Sequence, residues 1–290
     1  MGYTIEDRFI LSSRNNLKIA ISIYKPDGLQ HPSPTIVMGH GIGAIKAAGL
    51  SPFAGIFASE GYVAVTFDYI NFGESEWTPR NVLQHRRDLV DPHRIVAWGS
   101  SFGGMHDTSL VSRDRELAAG IAQCPLVDGL AGCLQMPLAR SLKLTAAAVV
   151  DVVGWATGST EPKYVKLVSD GSSTAFMASH EVMQGWSRLA PERGENWPNA
   201  IAARSLLSIV TSRPMLHVYK STKPYLVVLP TWDHEASLDA AEECVRRAPL
   251  GEGLRVEGGH FDLYKGGISF EKNVQGQLRF LRRVLSDSHQ

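Results

Sequence analysis

The chain has 290 residues, with 29 basic and 29 acidic side chains, so its formal net charge is zero. Hydrophobic residues make up 44% of the chain and charged residues 20%, which is typical of a globular protein and not of a disordered one. This balance lacks the basic footprint of a nucleic-acid-binding protein, so we expect no nucleic-acid partner.

The sequence also lacks the signals of a membrane or secreted protein. No apolar run reaches the ~18 residues of a membrane span. The longest candidate, residues 142–153, is interrupted by Lys143 and Asp151. Residues 1–8 are polar and acidic and contain no apolar region of a signal peptide. We therefore predict a cytoplasmic protein without a membrane span.

Three cysteines, Cys124, Cys133 and Cys244, are spread along the chain. Their number is odd, no C-x-x-C motif is present, and no histidine cluster accompanies the nearest pair. We expect three reduced structural thiols, with neither a disulfide framework nor a zinc site.

Alternating apolar residues predict an antiparallel hairpin at the start of the chain, with strands over residues 5–11 and 17–24. Short apolar runs separated by helical patterns follow, which is typical of β-α-β units. Further strands are predicted at residues 34–41 (with the glycine-rich loop that ends this run), 62–69, 94–99, 118–124, 225–229 and 254–257, and helices at 51–60, 80–90 and 269–285. These patterns predict an α/β fold with a mostly parallel central sheet.

The alternation breaks between residues 125 and 224, where no convincing buried strand is visible. Helical patterns cover residues 138–153, 179–189 and 199–210. We predict a core formed by residues 1–124 and 225–290, with residues 125–224 inserted as a helical cap. A cap over the strand ends would make the ligand pocket apolar and partly closed.

A serine motif follows the strand predicted at residues 94–99. Gly99 to Gly103 match the pattern G-x-S-x-G, and a helical pattern begins directly afterwards. A strand-turn-helix elbow of this kind holds the central serine in a strained conformation and projects its hydroxyl above the sheet. The glycine spacing selects Ser101 as a nucleophile and leaves Ser100 as its structural neighbour.

A glycine-rich loop, Gly39-His40-Gly41-Ile42-Gly43, follows an earlier strand. An oxyanion hole needs two fixed backbone N–H groups that face the developing negative charge. We predict that the N–H groups of Phe102 and Ile42 form it. The alternative interpretation is that these glycines only allow a tight turn.

The general base should follow the last strand, where Gly258-Gly259-His260 occurs. His260 is therefore the predicted base, and Asp233, after the preceding strand, is the predicted acid that orients it. Asp128, one strand earlier, is an alternative acid. Asp262 is too close to His260 in the chain, and we expect it to bind the loop backbone instead.

Several longer strings resemble the fungal polyketide transferase and thiohydrolase group of α/β-hydrolases. They span nearly the whole chain, best outside the cap: Met38 to Lys46, Phe67-Asp68-Tyr69, Thr78 to Asn81, Trp98 to His106, Cys124 to Gly129 and Gly258 to Asp262.

The resemblance implies an α/β-hydrolase fold and action on polyketide acyl chains, which such enzymes release as acids or transfer to alcohols. Ser101, Asp233 and His260 match the positions of the family's nucleophile, acid and histidine. The implied partners are an apolar acyl substrate and an acyl-carrier domain of a polyketide synthase. The basic pair Arg86-Arg87 is a candidate docking patch for that carrier domain. A homodimer is also compatible with the sequence. Neither a metal nor an organic cofactor is required. The tryptophans of the cap, Trp155, Trp186 and Trp197, suit an apolar acyl chain or simple packing.

One departure from the family concerns residues 80–90, which leave a shorter helix than relatives have before the nucleophile strand. Two alternatives to the polyketide function remain open on sequence. One is a carboxylesterase of broad specificity, and the other is a non-catalytic ligand-binding protein on the same fold.

Overall fold

Eight strands form a central sheet in the order β1-β2-β4-β3-β5-β6-β10-β11. The computed structural model describes residues 1–12, 16–29, 33–78 and 95–286. The strands of this sheet are β1 (Tyr3–Leu11), β2 (Lys18–Pro26), β3 (Thr35–Gly39), β4 (Val63–Phe67), β5 (Ile95–Ser100), β6 (Ala119–Gln123), β10 (Tyr225–Pro230) and β11 (Gly251–Val256).

The pairing of these strands confirms the predicted hairpin and the mostly parallel sheet. β1 pairs antiparallel with β2, and β2 pairs antiparallel with β4. From β4 to β11 every neighbouring pair is parallel. Both faces of the parallel sheet are covered, so every residue of β5 and of β10 is buried. This burial explains why the sequences of these strands are mostly apolar.

The two faces of the sheet form two apolar clusters. In β5, Val96 and Trp98 belong to the larger cluster, whereas Ile95 and Ala97 belong to the smaller one. Because side chains alternate along a strand, this division places one cluster on each face. The described helices are α1 (Ser51–Ser59), α2 (Phe102–Val111), α3 (Gly129–Leu134), α4 (Leu138–Ala156), α5 (His180–Arg188), α6 (Ser205–Thr211), α7 (Leu238–Arg247) and α8 (Phe270–Ser286).

Residues 125–224, predicted as a helical insertion, also contain strands. A second sheet of three strands, in the order β8-β7-β9, lies in this segment. The strands are β7 (Tyr164–Ser169), β8 (Ala175–Ala178) and β9 (Ile201–Ala202). The prediction that this segment contains no buried strand is therefore wrong. β8 and β9 have only four and two residues, and the apolar run of β7 is interrupted by Lys166, so none of them gives a clear strand pattern in the sequence.

The helix predicted at residues 80–90 and the basic pair Arg86-Arg87 lie outside the described residues. Within the described part of the chain, no helix combines the length and the apolar character that a membrane crossing requires.

We expect Gly99→Ala to destabilise the fold, because a Cβ at this position would lie 2.1 Å from the carbonyl oxygen of Gly103. Backbone cannot yield as a flexible side chain can, so the free energy of unfolding should fall by about 3 kcal/mol. Gly154→Ala in α4 is the matched control. Its Cβ would meet only the Cβ of Ser159, at 3.7 Å, and should stabilise the helix by roughly 0.5–1 kcal/mol. Urea unfolding followed by circular dichroism measures both, and equal effects would contradict the steric argument.

Candidate active site

Ser101 lies at the turn between β5 and α2, with φ of 56° and ψ of −115°. A non-glycine residue in this region is strained and persists only where its surroundings hold it. Two backbone hydrogen bonds do so: Ser101 N–H donates to Gln123 O at 2.9 Å, and Leu126 N–H donates to Ser101 O at 3.0 Å. The turn therefore presents the Ser101 side chain in one fixed direction at the end of β5.

The glycine-rich loop after β3 lies against this turn. A Cβ placed on Gly41 would be 3.5 Å from the Cβ of Ser101. His40 fixes the loop: its Nδ1–H donates to Gly41 O at 2.9 Å, and its Nε2 accepts from Tyr69 N–H at 3.4 Å. Burial lowers the pKa of His40 to about 4, against a smaller opposing effect of the hydrogen bond to Gly41. His40 is thus neutral at physiological pH and holds the backbone beside Ser101.

Histidine and carboxylate meet at the ends of β10 and β11. His260 Nδ1 lies 2.8 Å from Asp233 Oδ2, and both side chains are almost completely buried. The other oxygen, Asp233 Oδ1, accepts from the N–H groups of Glu235 and Ala236 at 2.8 and 2.9 Å. The carboxylate is therefore fixed by its own loop, and it receives the Nδ1–H of His260.

Asp128, the alternative acid, and Asp262, expected to bind the loop backbone, have other partners in the structure. Asp128 caps the N-terminus of α3 and forms a two-pronged ion pair with Arg213, with Nη2–Oδ2 at 2.8 Å. Asp262 accepts from Gly259 N–H at 3.0 Å and pairs with Arg188 at 3.1 Å. Of the acids considered from sequence, Asp233 is the one in contact with the His260 ring.

Two opposing effects set the pKa of His260. Burial lowers it, but the electrostatic and hydrogen-bonding effects of Asp233, and those of Cys124, outweigh burial and hold the pKa well above its ordinary value. The same carboxylate fixes the tautomer, because Nδ1 must carry the proton that it donates. Nε2 is then the nitrogen that faces away from Asp233.

Cys124 is a residue of this site that sequence reasoning placed among the structural thiols. It follows β6 with a φ of 36°, and its Sγ lies 3.9 Å from His260 Nε2. Cys124, Asp233 and His260 each offer a ligand-type atom within 4.8 Å of the others. The sequence did contain a signal, since Cys124 ends the strand predicted at residues 118–124, in the same sheet as the strand before Ser101.

A chain of buried polar side chains lies beneath the site. Ser100 Oγ is 2.5 Å from the Tyr264 hydroxyl and accepts from Gln123 Nε2 at 3.2 Å. Asn273 Nδ2 donates to Gln123 Oε1 at 2.6 Å and to Leu263 O at 3.1 Å. The network joins the His260 loop, the strand before Ser101 and α8 through these side chains: Trp98, Ser100, Gln123, Tyr264, Asn273 and Gln277.

Comparison with known proteins assigns this architecture to a family. The quorum-quenching protein AidA of Acinetobacter baumannii (strain MDR-ZJ06) is 33% identical over 286 residues, which cover 93% of each chain. The polyketide transferase grgF of Penicillium sp is 26% identical over 87% of this chain and 89% of its own. The crystal structure of the α/β hydrolase GrgF from Penicillium sp. sh18 superposes with a TM-score of 0.79 at 22% identity, over 98% and 99% of the two chains.

This chain has the α/β-hydrolase fold. It belongs to the same family as AidA and resembles the fungal polyketide transferases, as the sequence motifs indicated. No protein-family model matches the chain.

Ser101 and His260 line the same cavity, which has a volume of about 20 Å³. That volume holds about one water molecule. Apart from Gly41, Ser101 and His260, its walls are apolar or aromatic: Ile42, Ala44, Ala48, Leu50, Met177, Trp186, Leu189, Phe261 and Tyr264. Of the cap tryptophans, Trp186 lines the cavity and stacks on Trp197, whose Nε1–H donates to Gly43 O at 3.0 Å. Trp155 is exposed at the end of α4.

We expect Asp233→Asn to lower the pKa of His260, because the charge of Asp233 is the largest effect that raises this pKa and the opposing effect of burial would remain. NMR titration of the imidazole ring measures this change. Asp239→Asn, on the exposed side of α7, is the matched control and should leave the pKa of His260 in place.

The raised pKa of His260 also makes the free energy of unfolding depend on pH. Since the folded-state pKa of His260 is raised, the Asp233 pair stabilises the fold fully below the unfolded pKa of ~6.5. That contribution is lost as the pH rises through the raised pKa. The difference in unfolding free energy between wild type and Asp233→Asn should therefore shrink at alkaline pH. A difference that grows with pH would contradict the assignment.

Proposed function

We propose that this protein is a serine hydrolase or acyltransferase that acts on acyl esters or thioesters. The observation that carries the proposal is the shared cavity. Ser101 and His260 both line it, and Asp233 is hydrogen-bonded to the far side of the His260 ring. A serine, a histidine and a carboxylate in this order are the components of nucleophilic acyl transfer.

In the proposed reaction, Ser101 Oγ attacks the acyl carbonyl while His260 Nε2 takes the hydroxyl proton. The resulting imidazolium is stabilised by Asp233. The tetrahedral intermediate collapses with cleavage of the bond to the leaving oxygen or sulfur, which receives the proton from His260. Water or an alcohol then attacks the acyl-enzyme, gives its proton to His260, and releases an acid or an ester with Ser101 restored.

The negative charge of the intermediate needs fixed donors. Phe102 is the first residue of α2 and directly follows the strained turn at Ser101. Its position directly after Ser101 makes it one proposed donor. Ile42, in the loop that His40 fixes beside Ser101, is the second.

The proposed substrate is an apolar acyl chain of the polyketide type, made in secondary metabolism. The apolar lining of the cavity supports it, as do relatives named polyketide transferase, thiohydrolase and acyltransferase. Residues 125–224 would act as a cap on a core of residues 1–124 and 225–290, since Met177, Trp186 and Leu189 close the cavity from this segment. A thioester substrate would bring an acyl-carrier domain as partner.

A second candidate function is a carboxylesterase that prefers small esters. The volume of the cavity favours it, because about 20 Å³ leaves no room for a long chain unless the cap moves.

Replacing the nucleophile tests the reaction class. We expect Ser101→Ala to lower kcat by at least about 10⁴-fold and to abolish labelling by a fluorophosphonate. Cys124→Ala should still be labelled, because the reagent would react with Ser101. Ser286→Ala, at the exposed end of α8, is the control for the substitution itself.

The opposite pattern would overturn the assignment. Labelling lost in Cys124→Ala and kept in Ser101→Ala would make the thiol the nucleophile. A wild-type protein that binds acyl thioesters but forms no acyl-enzyme by mass spectrometry would be a ligand-binding protein.

Replacing the cavity wall distinguishes the two substrate classes. We expect Trp186→Ala to raise kcat/KM for an octanoyl thioester relative to an acetyl thioester by at least about tenfold, which corresponds to one or two further methylenes accommodated at about 1 kcal/mol each. Trp155→Ala, an equally large change on an exposed surface, should leave the ratio unchanged. Products are counted as acid and as ester, with and without an added alcohol. A wild type that prefers acetyl, with a ratio insensitive to Trp186, would favour the small-ester carboxylesterase.

A further inference from the structure

Helix α4 carries an exposed apolar face. Its members lie at positions 138, 142, 146, 149, 150 and 153, and they are Leu138, Leu142, Ala146, Val149, Val150 and Val153. Leu138 is 74% exposed, and the other leucine and the valines are at least half exposed. With 3.6 residues per turn these side chains fall within one sector of the helix. We call this sector the α4 face.

The α4 face is comparable in area to the largest apolar patch of a typical monomer. Half to three-quarters of each large side chain amounts to roughly 600 Å² of apolar area, at the upper end of the ~300–600 Å² patch of a typical monomer. Two such faces packed together would bury on the order of 1,200 Å², the lower limit of a specific protein interface. The area is therefore matched to a second surface of the same kind.

The opposite side of α4 holds the helix firmly in place. Leu144 and Ala148 are buried there. Asp151, also buried, accepts from the backbone N–H groups of Lys163 and Arg204, each at 2.8 Å, and from the Arg204 side chain at 3.4 Å. The α4 face is thus presented by an anchored helix, so little ordering cost would oppose its docking.

We propose that the α4 face binds the α4 face of a second copy of this chain in a two-fold symmetric dimer. The spacing of three and four residues is the spacing of side chains that interlock between packed helices. With the two-fold axis at Ala146, the small side chain lets the helices approach. Leu142 of one copy then lies opposite Val150 of the other, and Val149 lies opposite Lys143, whose aliphatic stem can pack on it.

The charge pattern of α4 favours this occupant over others. Among the exposed positions of the helix, Lys143 alone is charged. An interfacial membrane helix carries several Lys and Arg residues along its polar flank, and a charged protein partner needs a matching set of charges. An uncharged face suits an identical uncharged face.

Sedimentation equilibrium of the full chain tests the proposal. We expect the wild type to be a dimer at micromolar concentration. For Leu142→Glu we expect a dissociation constant at least 100-fold larger, because this substitution would place an unpaired carboxylate in the interface. Ile268→Glu is the matched control: Ile268 is 70% exposed outside α4, so its substitution should leave the dimer intact. A wild type that is monomeric at 100 μM, or that binds phosphatidylglycerol vesicles as a monomer, overturns the proposal. So does a dimer that survives Leu142→Glu.

A second variant keeps the test open if Leu142→Glu does not fold. Ala146→Cys should form a disulfide-linked dimer under mild oxidation, because residue 146 faces its own copy at the axis. The wild type, with its native cysteines, is the control for background crosslinking. Failure of Ala146→Cys to crosslink above that background overturns the two-fold arrangement.

Discussion

The close approach of two backbone segments around Ser101 is the constraint on which the site depends. A Cβ on Gly103 would lie 2.3 Å from Gly39 O, and one on Gly99 would overlap the carbonyl of Gly103. Because these positions carry no side chain, the end of β5, the start of α2 and the loop after β3 can touch. That contact places Ser101 at a positive φ and brings the first amide of α2 beside the loop that His40 holds.

Asp233 and His260 are held in position near Ser101 by an ion pair and by a network of buried hydrogen bonds. Asp233 is fixed by two backbone N–H groups and in turn fixes the ring of His260. Tyr264 and Asn273 connect the same loop to Ser100 and Gln123 beneath the turn. A fully paired polar network of this kind specifies one arrangement, because each unpaired member would leave a costly buried donor or acceptor. The histidine and the serine are therefore positioned through the same interior.

Residues 125–224 contribute both to the wall of the cavity and to the surface of the protein. Trp186 closes the cavity, its neighbour Trp197 is hydrogen-bonded to the glycine-rich loop, and α4 packs on the same segment through Leu144 and Ala148. Residues of this segment therefore both line the cavity and form the exposed apolar face of α4. The similarity to AidA and to the polyketide transferases extends through this segment, because their alignments span 87–93% of the chain.

The sequence by itself determined the sheet, because continuously apolar runs between helical patterns are specific to buried parallel strands. It also located Ser101, Asp233 and His260, since each follows a strand and the carboxyl ends of parallel strands meet at one edge. It could not show the strands of the cap, where β9 is two residues long. Tertiary structure alone decided that Asp233 rather than Asp128 contacts His260, that Cys124 lies beside Nε2, and that one face of α4 remains uncovered among the described residues. The physical reason is the same in each case: these relations depend on distances between residues far apart in the chain, which local patterns do not contain.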